Sequence, residues 1–371
     1  MKFQKIYFLI LLPVIALSVS GCSVSLNSGG SSSNSNPDLG GVFLSVDSGN
    51  TFKSQSLTPS VSGKPGNIAG INVRSVVIDP SDNTAIYLAT YGQGLYYTYN
   101  VLTGWLEAPG LPKATIYGLA INPKNKCDIY VTYSNRLMRS VDCARTWSQI
   151  YLDGNTDTVF KALAIDFYNP ANIYLGTYKG DILKSIDGGY SWRAIKRLQE
   201  PIINITLSPK DSRHVYVATD SAKIYSFFSN TFTNAKNSAN IDANFAVEDW
   251  TDSNEVLDDL NIGSVYEDLV VTAEGEVFLA TNQAILRSPD GGVSWQKLSL
   301  LPAEKDAIIR TIAVNPKNSK EIYYATNLTF FKSSDGGATW SNKKLPTSRS
   351  ASDILIDYKN PNVIYLSAYT E

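Results

Sequence analysis

The sequence is poor in the residues that most metal and redox sites require. Of its 371 residues one is histidine, His214, and three are cysteine, Cys22, Cys127 and Cys143. A single histidine excludes a two-histidine ligand set and a multi-histidine relay. Three cysteines exclude a four-cysteine zinc site or iron–sulfur cluster within one chain. No metal and no cofactor is expected. Neither sign of charge is in excess. With 32 basic against 34 acidic side chains the net charge is −2, which excludes a strongly basic nucleic-acid binder. No long run repeats with a period of 3.6, so no long helix is expected. A hydrophobic fraction of 43% excludes global disorder, and the length fits one large domain or two smaller ones.

Apolar residues do run continuously at the N-terminus. Lys2 and Lys5 precede Ile6 to Val19, broken by Pro13 and Ser18. A run of about 14 residues is too short to span a bilayer and suits the core of a signal peptide. Val19-Ser20-Gly21-Cys22 follows. This resembles the bacterial lipobox, which implies residues 1–21 as a cleaved leader and Cys22 as an acylated first residue. Residues 22–40 are rich in Ser, Asn and Gly and read as a flexible tether. The location these features imply is the extracytoplasmic side of a bacterial membrane, held by lipid. There a disulfide between Cys127 and Cys143 is the preferred reading, because the pair flanks a hairpin centred near Asn135; two buried thiols are the alternative.

The remainder is repetitive. Five segments share an octapeptide: Ser45–Phe52, Ser140–Trp147, Ser185–Trp192, Ser288–Trp295 and Ser333–Trp340. Two further copies, Thr98 to Trp105 and Ser226 to Phe232, are decayed. Each octapeptide follows two short β-branched and aromatic runs divided by Asn, Asp, Pro or Gly, as in Leu163-Ala-Ile-Asp and Asn172-Ile-Tyr-Leu-Gly. The unit is therefore four antiparallel strands, A to D, with the octapeptide as the C–D turn. A strands start near Ser75, Gly118, Ala162, Asn204, Asp268, Thr311 and Ile354. The last unit has only A and B, and the first segment, Val42–Phe52, only C and D. The expected fold is all-β, a seven-bladed β-propeller over 41–371 with about 47 residues per blade, closed by N-terminal strands joining the C-terminal blade. A monomer is expected. The A strands read as apolar on both faces. Residues 233–266 read as an acidic insertion between blades 4 and 5, carrying Asp242, Glu248, Asp249, Trp250, Asp252, Glu255, Asp258 and Asp259.

The octapeptide matches the Asp-box, or BNR, motif S-x-D-x-G-x-T-W. The chain thus resembles the Asp-box propellers, which include sialidases, xyloglucanase-type hydrolases, sortilin-type receptors and the photosystem II assembly factor. A single seven-bladed unit behind a lipobox is most similar to the last group, which implies a non-catalytic assembly protein. Sialidases carry an Arg-Ile-Pro motif that is absent here. Xyloglucanase-type enzymes place an Asp in the first B–C turn, which here reads Thr90-Tyr91-Gly92-Gln93-Gly94, and they build their cleft between two propellers.

The motif aspartates Asp47, Asp142, Asp187, Asp290 and Asp335 look catalytic but suit a structural role. A short carboxylate can satisfy the N–H groups of a tight turn, while Trp147, Trp192, Trp295 and Trp340 pack between blades. His214 opens a B strand and reads as a packed or edge histidine. A ligand is expected on the opposite face, made by the D–A links and B–C turns. Its rim is expected to hold Arg74, Tyr91, Gln93, Tyr117, Lys161, Tyr178, Lys179 and Arg310. The expected partner is a protein or polysaccharide of the cell envelope. Were the protein a glycoside hydrolase, its carboxylates would come from Asp268, Asp353 and Glu267.

Overall fold

The computed structural model describes residues 39–59, 65–229, 250–301 and 308–370. The apolar leader, Cys22, most of the tether, and Asp242, Glu248 and Asp249 lie outside the described residues.

Seven four-stranded antiparallel sheets form the blades. Their A strands are Val73–Ile78, Gly118–Ile121, Phe160–Ile165, Ile202–Ser208, Tyr266–Val271, Ile309–Asn315 and Ser350–Ile356. Those of successive blades lie side by side around a channel. The ring closes without a gap. Gly41–Ser45 pairs with Ile364–Tyr369, setting Val42 opposite Ser367 and Leu44 opposite Tyr365, and Lys53–Ser54 completes blade 7 outside it. A short hairpin, Leu57–Thr58 with Gly66–Asn67, decorates the link into blade 1.

Burial differs from expectation at the A strands. The B strands are the ones buried on both faces, as in Ile86–Thr90, Ile173–Thr177 and Val277–Thr281. The A strands alternate buried with half-buried positions, as in Phe160–Ile165. One side of each A strand packs on its neighbours while the other meets the channel, and only the packed side must be dry.

Between the blades lie seven apolar clusters among the described residues, one per junction. Each includes or packs against one large aromatic from the D-strand edge: Phe52, Trp105, Trp147, Trp192, Trp250, Trp295 or Trp340. Trp105 is fully buried, and its indole N–H donates to the Gln55 carbonyl (2.6 Å). The decayed copy in blade 1 thus keeps the packing role without the acidic turn.

Trp250 corrects the reading of the insertion. Trp250–Asp252 is the D strand of blade 4, paired with residues 225–227. The extra chain therefore splits blade 4 between its C strand, Ile224–Phe228, and its D strand, instead of joining blades 4 and 5, and the blade does not end in a copy at Ser226 to Phe232. The physical reason is the empty junction slot. Trp250 fills the one between blades 3 and 4, its ring 4.3 Å from that of Phe227. The true link to blade 5 begins at Ser253 and contains one helical turn, Asn254–Asp258. The long segment consequently leaves from the face that carries the octapeptide turns.

Candidate functional site

The octapeptide turns are closed hydrogen-bond systems. Ser185 Oγ donates to Asp187 Oδ1 (2.7 Å) and accepts the Gly189 N–H (2.9 Å). Asp187 also accepts the N–H of Ser191 (2.9 Å) and its hydroxyl (2.5 Å). The same set recurs at Asp47, Asp142, Asp290 and Asp335. At Asp47, Asp142 and Asp335 the following threonine hydroxyl, then its N–H, holds the carboxyl down at about 2. At Asp187 and Asp290 desolvation pushes the other way, but the bonds from Ser191 and Ser294 outweigh it, and these also lie at about 2. At neutral pH such carboxylates are ionised and have no proton to give. The tryptophans complete the turns: Trp192 and Trp295 donate to the carbonyls of Gly189 (2.9 Å) and Gly292 (3.1 Å). Trp340 reaches back to the Ser299 carbonyl (2.8 Å).

Blade 2 adds a covalent link. Cys127, in the A–B turn, is joined by a disulfide to Cys143, in the octapeptide turn. In other blades a backbone bond spans this gap, from Gly188 to Ala171 (3.0 Å) or from Gly336 to Lys320 (2.8 Å). Its counterpart from Cys143 to Cys127 is 3.2 Å. The turn needs two left-handed residues, glycines in blades 3, 5 and 6 but Cys143 (φ 60°) and Ala144 (φ 65°) in blade 2. Side chains resist that conformation, and the bridge helps to hold them in it.

His214 lies on this same face. Its ring stacks on Phe228 (4.3 Å between centroids), and its Nδ1 is 3.0 Å from the Tyr216 hydroxyl. Burial lowers its pKa.

The opposite face is built by β-bulges. In six blades the A strand carries one extra residue near its start: Arg74, Lys161, Ile203, Glu267, Arg310 and Ser352. A bulge re-aims the side chain it frees, and here Arg74, Ile203, Glu267, Arg310 and Ser352 line the channel mouth while Lys161 lies over the Tyr117 ring. Blade 2 has no bulge at this place. Its A strand begins at Gly118, where a Cβ would lie 2.5 Å from the Leu163 Cβ and 2.7 Å from the Thr132 hydroxyl.

The mouth is a cavity of about 260 Å³. Of the expected rim, Arg74, Tyr91 and Arg310 line it, together with Glu267, Asp268 and Asp353. Arg310 Nη1 lies 3.7 Å from Glu267, and its Nε donates to Asn327 Oδ1 (2.5 Å). Arg74 donates to the Tyr117 carbonyl (2.6 Å). Tyr117, Lys161 and Tyr178 form a row beside the cavity, with the Lys161 ammonium 3.9 Å from the Tyr117 ring and 5.6 Å from that of Tyr178. Tyr178 and Lys179 are exposed on the blade 3 turn. Gln93 is spent locally, its Oε1 accepting the Asn72 N–H (3.0 Å).

Two lining tyrosines escape a reading of the sequence. Tyr266 occupies a position that is fully buried and apolar in blades 1, 3, 4, 6 and 7 (Val73, Phe160, Ile202, Ile309 and Ala351). Its hydroxyl accepts from Asn204 Nδ2 (2.7 Å). Tyr369 stacks obliquely with Tyr91, centroids 5.8 Å apart. The departure from the apolar column was a usable signal for Tyr266; nothing local marks Tyr369.

Asp268 and Asp353 stand at the channel waist, lining both this cavity and a second one of about 340 Å³ toward the other mouth. Both tie blades together. Asp353 Oδ2 accepts the Val76 N–H across the ring closure (2.7 Å). Asp268 Oδ2 accepts the Thr311 hydroxyl (3.0 Å) and the Ile312 N–H (3.1 Å), and its Oδ1 accepts the Leu269 N–H (2.8 Å). Desolvation pushes both carboxyls up. At Asp353 the charge of Asp268 adds to it and the group reaches about 7. Among the described residues no cluster of His, Cys, Asp and Glu could hold a metal ion.

No family model matches the chain, and no curated protein does. Solved structures do. A GH74 xyloglucanase from Xanthomonas campestris superposes with TM-score 0.62 at 15% identity, over 81% of this chain and 51% of the enzyme. A structure described as YCF48 bound to D1 peptide gives TM-score 0.59 at 15% identity, over 80% of this chain and 93% of that one. The WD40 propeller of Doa1 gives 0.56 at 12% identity over 90% and 98%. The chain spans about half the length of the xyloglucanase. At such identities these likenesses establish the seven-bladed fold.

Proposed function

We propose that the propeller is a non-catalytic binding scaffold, lipid-anchored outside the cytoplasm, that engages a protein or polymer partner through the channel mouth opposite the octapeptide turns. The observation that carries this reading is the commitment of the channel carboxylates. Both Asp268 oxygens and Oδ2 of Asp353 accept hydrogen bonds, most of them from backbone N–H groups of A strands. They brace the ring. Around them the mouth offers two arginines, Glu267 and three tyrosines, a mixture of charge and amphipathic rings that suits a polar chain segment. That a propeller of this fold is described as bound to a peptide supports a polypeptide ligand.

The second reading is a glycoside hydrolase. It draws on the GH74 likeness and on Asp353, whose raised pKa is what a general acid requires. Against it, a carboxyl locked to Val76 is poorly placed to deliver a proton to a leaving group. The two readings separate by mutation. Arg74→Glu with Arg310→Glu should reduce partner binding at least tenfold while the circular dichroism spectrum stays native. Undiminished binding would remove the mouth as the docking site.

A further inference from the structure

The channel changes character below its waist. Asp268 and Asp353 line the mouth cavity and also the second cavity, of about 340 Å³, which runs from them toward the octapeptide face. Side chains alternate along a strand, so Val270 stands on the same side as Asp268, and Leu355 on the same side as Asp353. With Ile78 and Ala313 they give this half of the channel an apolar wall, and Pro209, Pro316 and Tyr358 stand at its outer end. Among the described residues that line it, the two aspartates carry the only charge. Their hydrogen-bond donors are neutral. Asp268 accepts one hydroxyl and two backbone N–H groups, and Asp353 accepts the N–H groups of Val76 and Ile354. Arg74, on the mouth side, favours the charged form of Asp353, but less than the charge of Asp268 opposes it. Carboxyls taken from water and given neutral partners are left short of positive charge.

We propose that this half of the channel is a second binding site, for a small amphipathic amine, with its ammonium group at Asp268 and Asp353 and its apolar chain along Val270 and Leu355. The site is separate from the mouth and does not depend on what the mouth binds. An ionised carboxylate has about four lone-pair sites, so both aspartates keep acceptor capacity beyond the bonds that brace the ring. An ammonium supplies three N–H donors together with the missing charge. Its alkyl chain covers the apolar wall and releases water from it, and the cavity lies within the size range of small-ligand pockets, about 300–1,000 Å³. The same features select against other ligands. An anion meets two carboxylates. An alcohol brings no charge to them. A short diamine places its second charge against the apolar wall, where no carboxylate answers it.

The test reads the wall itself. The full-length protein, methyl-labelled at leucine and valine, is titrated at pH 8 with n-hexylamine, hexan-1-ol and 1,4-diaminobutane and followed by methyl NMR. The Val270 and Leu355 signals should move with n-hexylamine, and the alcohol and the diamine should each bind weaker by about tenfold or more. Asp268→Asn with Asp353→Asn should weaken n-hexylamine by about tenfold or more and leave hexan-1-ol unchanged. Leu355→Trp keeps both carboxyls and fills the cavity, so it should abolish binding of the amine while the circular dichroism spectrum stays native. It stands in for the asparagine pair should that chain fail to fold. Signals at Val270 and Leu355 that stay still, equal affinity for amine and alcohol, or binding that survives Leu355→Trp would overturn the proposal. Displacement of n-hexylamine by equimolar sodium would also overturn it, in favour of an inorganic cation.

Discussion

Aspartate is used in opposite ways on the two sides of this propeller. In the octapeptide turns the carboxylate sits near water and accepts bonds from residues three and four positions ahead, so the charged form is favoured and the pKa falls to about 2. In the channel, Asp268 and Asp353 accept bonds from residues in other blades, away from bulk water and near each other's charge, and Asp353 rises to about 7. The first kind closes a turn within one blade, and the second holds blades to each other. An acidic side chain recurring beside Ser and Trp therefore says little about catalysis until its hydrogen-bond partners are counted.

The largest expected effect concerns the tryptophan slots that the turns serve. Trp295 is 6% exposed and packs between blades 4 and 5. Trp295→Ala should cost about 3–5 kcal/mol in chemical denaturation through the cavity it leaves, whereas a cost under about 1 kcal/mol would show that the turns do not rely on the slots. Next comes the one covalently closed turn. Replacing both Cys127 and Cys143 by serine opens a loop with a sequence separation of 16, and the midpoint of unfolding should fall by the equivalent of about 3 kcal/mol. Smaller, but most diagnostic, is the same substitution on both sides. Asp187→Asn removes an acceptor from Ser191 and should destabilise by about 1 kcal/mol, by analogy with the loss of a helix cap. Asp353→Asn relieves a repulsion and keeps one acceptor for Val76, so at pH 8 it should be neutral or stabilising.

The pH dependence differs in sign between the regions. The turn aspartates have folded values below their unfolded ones. Their contribution is complete above about pH 4 and is lost as pH falls toward 2. Asp353 has a folded value above its unfolded one. Its contribution is complete below about pH 4 and is lost as pH rises through 7. His214 opposes it, because burial favours the neutral ring and stability is gained as pH rises toward the unfolded value near 6.5, above which the gain is complete. In a His214→Gln chain, stability should therefore decline from pH 5 to 8, and Asp353→Asn should flatten that decline.

The legible part of the molecule is the part written locally. Strand runs, octapeptides and the closing blade shared by N-terminal and C-terminal strands follow from patterns a few residues long, and so do the candidate carboxylates Asp268, Asp353 and Glu267. What lay beyond reach depended on distance. Trp250 belongs to blade 4 because of a slot between blades, not because of any neighbour in sequence. The bulges that aim Arg74, Glu267 and Arg310 appear only once register is known, since one extra residue changes the side a chain faces. That Asp268 answers to Ile312 is a fact of the packing of neighbouring blades, and that Asp353 answers to Val76 a fact of ring closure.

The central claim is that the channel aspartates brace the ring while the arginines at its mouth bind. It is tested most directly by cross-linked affinity capture from native membranes, using wild type, Asp268→Asn with Asp353→Asn, and Arg74→Glu with Arg310→Glu. The account predicts one stoichiometric membrane protein with the first two and its loss with the third. Polysaccharide captured and cleaved by wild type, with cleavage abolished by the aspartate pair and retained by the arginine pair, would contradict it.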